Sequence, residues 1–385
     1  MSIEVSPVGV ACNLSCSYCY EHPIREAGNF NQKPYDLEKM INGLAKEGGP
    51  FGLFGGEPLL TDLETLEGLW KFGFERYKRN GIQTNGTLIN DKHIELFKKY
   101  NVHVGISMDG PDELNDTRWA GSLEETRRRT KMSMDAIERL SEEKIQFSLI
   151  VTLTRLNSTP EQLPRLKEWF RYLDTKGVNG VRLHTLEVEY DSVGETFSLT
   201  PGRSVEVMLE MAHLEHELKN YRFDMFTDIK NLLVGRDSSA TCTFRECDPY
   251  TTKAVRGING QGEKQNCGRS TKEGVVHLKA DQEGFERQMA LYLTPQEHGG
   301  CQGCRFFIMC KGQCPGGGMN YDWRNRSVDC ELYYALFSHF ENDYLNKGIL
   351  PLSQSPVLKQ MEQMCFTAWT KRESADFQKF FNILQ

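Results

Sequence analysis

The sequence predicts an α/β fold: a partial (β/α)6 TIM barrel, then a loop-rich, cysteine-rich domain and C-terminal helices. Three observations predict it. Over residues 1–230, β-rich runs alternate with amphipathic helical patterns, the signature of a parallel sheet with helices outside. Glycine and polar residues gather at the ends of those β runs, where barrel enzymes carry their chemistry. Beyond residue 230 the alternation stops, and eight of the chain's twelve cysteines lie between Thr241 and Cys330.

The elements follow in order. IEVSPVGV (3–10) reads as the first strand, with a cysteine loop after it. YDLEKMINGLAKE (35–47) has apolar residues near helical spacing. PFGLFGG (50–56) is a strand running into glycines, and ETLEGLWKFGFERY (64–77) is a helix. GIQTNGT (81–87) is a strand and turn, followed by the helix DKHIELFKKY (91–100). NVHVGISMDG (101–110), KIQFSLIVTLT (144–154) and GVNGVRLHTLEV (177–188) complete six strands, with helices near 123–141 and 160–174 between them. The barrel is therefore assigned to 1–230, the cysteine-rich domain to 231–335 and a helical segment to 336–385. Residues 241–330 are so poor in apolar periodicity that metal is expected to hold them together.

Bulk properties bound the function. The 385 residues are 39% hydrophobic and 26% charged, ordinary for a globular protein, and the net charge of −7 offers no global attraction to nucleic acid or anionic membrane. No run approaches the roughly 20 apolar residues of a membrane span. MSIEVSPVGV lacks the form of a secretory signal, so a reducing cytoplasm is the expected location. Twelve cysteines there point to metal or redox chemistry rather than disulfides.

CNLSCSYCY (12–20) places Cys12, Cys16 and Cys19 within eight positions. Three thiols are one short of a closed zinc site or a fully ligated iron–sulfur cluster. An open metal position is what a catalytic centre keeps. A structural zinc loop with a fourth ligand from elsewhere is the plain alternative.

CNLSCSYC resembles the CxxxCxΦC signature of the radical SAM enzymes, Φ being an aromatic residue. The resemblance implies that Cys12, Cys16 and Cys19 hold a [4Fe–4S] cluster whose fourth iron chelates S-adenosylmethionine, with Tyr18 beside the adenine. GGEP (55–58) falls at the family's next motif. It implies that Gly55 and Gly56 let the backbone approach the methionine amino group, that Glu57 supports the loop, and that Pro58 completes the site. QTNG (83–86) and SMDG (107–110) match cavity-lining positions. Asn85 and Ser107 are expected to bond the cofactor, Asp109 to support its loop, and Arg118 to pair with the cofactor carboxylate. Thr152, Thr154, His184 and Glu187 are candidates to face the substrate.

The later cysteines form a second pattern. Cys301, Cys304, Cys310 and Cys314 read CxxC-x5-CxxxC, with Cys330 sixteen residues on; upstream lie Cys242, Cys247, Gly262 and Cys267. This resembles the SPASM domain of peptide-modifying radical SAM enzymes. The resemblance implies that Cys242, Cys247, Cys267 and Cys314 hold a first auxiliary [4Fe–4S] cluster. Cys301, Cys304, Cys310 and Cys330 would hold a second, for three clusters in all. Cys365 is left over as an ordinary thiol. A remote non-enzyme alternative fills the same eight cysteines with two zinc ions.

From these resemblances comes an expected activity. S-adenosylmethionine is reductively cleaved to a 5′-deoxyadenosyl radical, which abstracts hydrogen from a substrate, foremost a peptide side chain in ribosomal peptide maturation, to form an oxidative cross-link. The alternatives are a sulfatase maturase, a peptide epimerase and a small-molecule biosynthetic enzyme. Sulfatase maturases carry a catalytic Asp directly after the third auxiliary cysteine, and here that position is Gly268. Base candidates are His184, Glu187, Glu189 and Asp248. A flavodoxin- or ferredoxin-type donor is the expected electron source. The chain starts close to its first strand, so a leader-peptide-binding module is expected to be separate or unnecessary. The basic run TRRRTK (126–131) reads as a solvated helix face more than a docking face for an acidic peptide.

Overall fold

A computed structural model describes residues 3–28, 34–186, 191–270, 280 and 282–384. The chain divides into two compact units. The first comprises Met1–Leu199, His213–Phe223 and Arg256–Leu278, the second Thr200–Ala212, Asp224–Val255 and Lys279–Gln385.

The first unit is built on a parallel sheet. Its strands are β1 (Ile3–Ser6), β2 (Phe51–Leu53), β3 (Asn80–Thr84), β4 (Val102–Ser107), β5 (Phe147–Leu153) and β6 (Val181–Thr185). Consecutive strands pair in parallel from β1 to β6, the order of an opened barrel. Helices Leu37–Glu47, Leu63–Tyr77, Asp91–Lys99, Leu123–Glu142 and Leu163–Asp174 form the crossovers, at the places the periodicity predicts. Asp36, Asp62, Asn90 and Ser122 each cap one of these helices by accepting a first-turn backbone N–H. Such caps contribute about 1 kcal/mol each.

Alternation along the strands separates two faces. Val104, Ile106, Leu149, Val151 and Leu183 are almost wholly buried. The intervening positions carry Gln83, His103, Ser107, Ser148, Arg182 and His184. Register puts these polar residues on one face: Gln83 lies opposite Gly105, Gly105 opposite Ser148, and Thr152 opposite His184. Because the strands are parallel, the cysteine loop, GGEP, Asn85 and Asp109 all follow strand C-termini on one edge.

Two strands lie where the sequence reads only loop. Arg256–Asn259 (β7) pairs in parallel with β1, with Val5 opposite Ile258, and Lys264–Gln265 (β8) turns back antiparallel to it. RGIN is too short to show a period, which is why pattern reading passes over it. Gly262 turns this hairpin at φ +74°, and a Cβ there would lie 2.2 Å from the Lys39 carbonyl oxygen, so the hairpin seats against the first crossover helix.

The second unit has an aromatic core. Phe244, Phe285, Phe306, Phe307 and Phe337 are essentially buried. Phe244 packs edge-on to Tyr333 and Phe337 of the helix Cys330–Asn346, and Phe306 stacks on Phe337 at 5.2 Å. Lys311, also buried, donates to Glu246 at 3.1 Å, which in turn accepts from Trp369 Nε1 and Ala375 N. Residues 241–330 thus contribute to an aromatic core that no apolar period announces. Large aromatic side chains bury much area each without needing a repeat.

Candidate active site and cysteine centres

The cysteine loop leaves β1 and is held by backbone on two sides. Ser15 N and Ser17 N donate to Trp119 O and Thr117 O, each at 2.8 Å. On the other side Gly56 N and Glu57 N donate to Gly9 O and Ala11 O, also at 2.8 Å. The approach needs glycine: a Cβ at Gly56 would lie 2.0 Å from Ala11 O, and at Gly55 (φ +109°) 2.5 Å from Gly9 O. Glycine at both positions thus admits the cysteine loop's backbone. Gly56→Ala is expected to cost about 3 kcal/mol, the upper end for overpacking because the obstruction is main chain. Chemical denaturation should record it, together with lower iron content.

Glu57 supports its loop. It is fully buried; Oε1 accepts from Leu59 N at 3.0 Å and Thr84 Oγ1 at 2.7 Å, and Oε2 accepts from Asn85 N at 2.8 Å. Burial raises its pKa, against those three hydrogen bonds. Pro58 opens the short 3-10 turn that follows. Asn85 is engaged with the cysteine loop: Nδ2 donates to Asn13 Oδ1 at 2.8 Å, and Oδ1 accepts from Thr87 N and Oγ1. Asn13 closes the set by donating to Thr87 Oγ1 at 2.8 Å. Sequence reasoning passed over Asn13, although it lies inside the CxxxC stretch.

Arg118 is paired within its own chain. Its Nε and Nη2 both donate to Asp109, each at 3.1 Å, and the pair is buried. Asp109 also accepts from Thr152 N at 2.8 Å and from the Tyr18 hydroxyl. Burial works against the Arg118 charge, and Asp109, Tyr18 and Cys16 more than offset it, so the guanidinium stays protonated. It lies 5.8 Å from the Tyr18 ring centre. Arg118 is therefore tied first to a carboxylate of its own chain, with Nη1 outside that pair.

The remaining candidates spread out. Ser107 accepts from Gln83 Nε2 at 2.8 Å on the polar face. Thr152 lies near the end of β5 and Thr154 just beyond it; both are buried, and Asn157 bonds their main chain, accepting from Thr154 N and donating to Thr152 O. His184 has Arg269 Nη2 3.4 Å from its Nδ1, and burial, with Arg269 and Arg182, pushes its pKa well down. A neutral imidazole between two guanidiniums is a weak base. Glu187 and Glu189 lie outside the described residues. Asp248 belongs to the second unit, where its Oδ1 accepts from Tyr250 N and Thr251 N and closes a turn. In the TRRRTK run, Arg127 is bidentate on Asp116, while Arg128 and Arg129 share Glu125. These arginines carry their own counter-charges.

One carboxylate was not anticipated. Glu21 is 7% exposed and two residues beyond Cys19. Among the described residues no hydrogen-bond donor reaches its carboxylate. Burial raises its pKa to about 7, Arg25 opposing and Glu4 adding to the shift. A Cβ built at Gly268 would lie 3.3 Å from Glu21 Oε1 and 2.9 Å from the Tyr20 ring. Tyr20 is half-buried, with Glu21, Cys267, Arg269 and Cys19 among the charges around it. The signal that could have found Glu21 is an acidic residue just after CxxxCxxC, read together with the missing side chain at 268.

None of the twelve cysteines is in a disulfide. Burial pushes Cys12 up to about 11, with Glu57 and Cys19 adding, and Cys16 up to about 12, with Cys19 and Cys12 adding. Arg25 bonds Cys19. Cys310 is raised by burial and by Cys301, Cys304 and Cys330, so that set is gathered in one place within the second unit. Cys267 belongs to the first unit, and Cys242, Cys247 and Cys314 to the second. Among the described residues, no three His, Cys, Asp or Glu side chains are placed to hold a single metal ion.

Comparison with known proteins decides the family. Residues 6–186 match the Radical SAM superfamily. A serine-type anaerobic sulfatase-maturating enzyme of Bacteroides thetaiotaomicron is 38% identical over 403 residues, covering 90% of this chain and 92% of that protein. This chain belongs to the radical SAM superfamily. A cysteine-type anaerobic sulfatase-maturating enzyme of Clostridium perfringens is 26% identical, over 82% of this chain and 88% of that protein. The solved structure of native anSMEcpe with bound AdoMet and Cp18Cys peptide shares the fold, with a TM-score of 0.64 at 20% identity over 90% of this chain and 98% of that one. The chain is accordingly a radical SAM enzyme, and the family's cofactors are S-adenosylmethionine and a [4Fe–4S] cluster. The donor set fits that cluster: three thiols from one loop lie among one another's charges, with Arg25 and Arg118 to balance thiolates. Among the described residues no helix is long and apolar enough to cross a membrane.

Proposed function

We propose that this radical SAM enzyme oxidises a serine or cysteine side chain of a peptide or protein by two electrons, in the manner of a sulfatase maturase. The observation that carries this reading is the likeness to serine-type sulfatase-maturating enzymes across nearly the whole of both chains. Cys12, Cys16 and Cys19 hold the first cluster, with Tyr18 and GGEP beside it. Cys301, Cys304, Cys310 and Cys330 hold an auxiliary one, and Cys242, Cys247, Cys267 and Cys314 are the ligands expected for another. When bound, S-adenosylmethionine and its cluster supply a 5′-deoxyadenosyl radical.

This chain's residues must then accept what the substrate gives up. For serine, two-electron oxidation to the aldehyde removes a hydrogen atom from Cβ, one electron and the O–H proton; the auxiliary cysteines would hold the iron–sulfur centre able to take that electron, and a base of this chain takes the proton. The product is an aldehyde. Glu21 is the base in this reading. It supplies a carboxylate from the first cysteine loop where sulfatase maturases use an Asp after the third auxiliary cysteine. A flavodoxin- or ferredoxin-type donor supplies the initiating electron.

A second reading, a cross-link-forming peptide maturase, draws on Gly268 standing in that Asp's place. One experiment separates the two. The reconstituted enzyme is incubated anaerobically with reductant, S-adenosylmethionine and a serine-containing sulfatase-motif peptide. It is also co-expressed with each short peptide encoded beside its gene. Loss of two hydrogens from the serine peptide, with a new hydrazide-reactive carbonyl, supports side-chain oxidation. Loss of two hydrogens from an encoded peptide without a carbonyl overturns it in favour of a cross-link.

A further inference from the structure

Arg287 is buried, at 1% exposure, and has no carboxylate in salt-bridge contact among the described residues. Among the described residues all its side-chain hydrogen bonds go to main-chain carbonyls: Nε to Trp323 at 2.7 Å, Nη1 to Cys247 at 3.3 Å and Lys311 at 3.5 Å, and Nη2 to Gly312 at 3.4 Å and Asn325 at 3.1 Å. It thus sits between the chain at Cys247 and the loop joining Cys310 to Cys314. Burial lowers its pKa, and the groups that work the other way are Cys247, Cys314 and Cys301, then Asp248.

A guanidinium withdrawn from water is costly unless a negative charge faces it. Asp248 is nearby, but its Oδ1 is turned onto Tyr250 N and Thr251 N. Nearest in effect are thiols, drawn from both expected auxiliary sets: Cys247 and Cys314 from one, Cys301 from the other. Thiolate-ligated clusters at those cysteines would give the buried cation its counter-charge. The potential of an iron–sulfur cluster follows its net charge, its hydrogen bonds and its exposure.

We propose that Arg287 is a positioning residue for electron transfer, a fixed positive charge shared by the two auxiliary cluster sites that raises the reduction potential of both. A positive charge at close range stabilises the reduced, more negative cluster. That makes each centre a better acceptor for the electron a substrate radical must lose. The inference rests on the three-cluster reading above, and its test separates the two.

The test is an EPR-monitored redox titration of the full chain carrying Cys12→Ala, Cys16→Ala and Cys19→Ala, so that only auxiliary signals remain. Arg287→Met is expected to lower the reduced-to-oxidised ratio at a given potential at least tenfold, about 59 mV for a one-electron couple. Arg287→Lys, which keeps the charge and loses the fork, is expected to stay within that tenfold and to load iron normally. Arg287→Met clusters at the parent potential would overturn the inference. So would an Arg287→Lys variant that loses its clusters, since the fork would then act as a clamp rather than the charge as a tuner. Absence of auxiliary signals from the parent would instead remove the three-cluster reading.

Discussion

Glu21→Gln is expected to lower substrate oxidation by about 10²-fold or more, the usual loss when a positioned base is removed. Production of 5′-deoxyadenosine and the iron content should change little, because the substituted amide keeps the size of the side chain and Glu21 bonds no cluster cysteine through its carboxylate. The assignment rests on position. A carboxylate largely withdrawn from water is harder to ionise, which suits a group that takes up a proton. Its oxygen also lies 3.3 Å from where a side chain at 268 would begin, so the two positions compete for one space. Hence the decisive companion is Glu21→Ala with Gly268→Asp, which moves the carboxylate to the auxiliary loop and should recover much of the lost oxidation. Gly268→Asp alone should be poorly active, crowded by Glu21 and the Tyr20 ring. Unimpaired oxidation by Glu21→Gln, measured by product mass, would remove Glu21 from the mechanism.

The barrel was legible because parallel strands in an α/β layer repeat. Each strand-and-helix pair shows a change of period, and the motifs fall where that change occurs. Helix ends carried a signal that the pattern reading did not use: Asp36, Asp62, Asn90 and Ser122 are residues of capping type, and each caps a helix. What stayed hidden is what no local pattern encodes. Strand β7 joins β1 across some 250 residues with four residues of its own. Glu21 meets Gly268 over a similar separation. Arg118 and Asp109 illustrate a different limit. Nine residues apart, both were singled out, but a sequence cannot say whether an arginine near a site serves the ligand or the wall. Their hydrogen-bond geometry puts Arg118 on the wall side first. The cysteines were easiest to read, because thiol spacing survives even where the surrounding segment has no period.

Asp109→Asn is expected to be among the most destabilising single changes in the first unit, at about 3–5 kcal/mol. Asp109 is wholly buried and accepts from Arg118 twice, Thr152 N, Thr117 Oγ1 and Tyr18. An amide of the same shape keeps one acceptor oxygen but leaves the Arg118 guanidinium, 10% exposed, without its opposite charge. The damage should reach the cysteine loop, since Arg118 lies between Thr117 and Trp119, whose carbonyls hold Ser17 and Ser15. Lower iron loading at Cys12, Cys16 and Cys19 should therefore accompany the loss of stability. Charge and packing can be told apart with Arg118→Met. In the Asp109→Asn, Arg118→Met double variant no unpaired charge remains, and a buried pair replaced by neutral groups is often tolerated. Urea denaturation of the four proteins completes the cycle. Recovery of most of the stability in the double variant would mean that the pair serves chiefly to neutralise itself. If the double variant stays as unstable as Asp109→Asn, the carboxylate is needed for Tyr18 and Thr152 whatever becomes of Arg118.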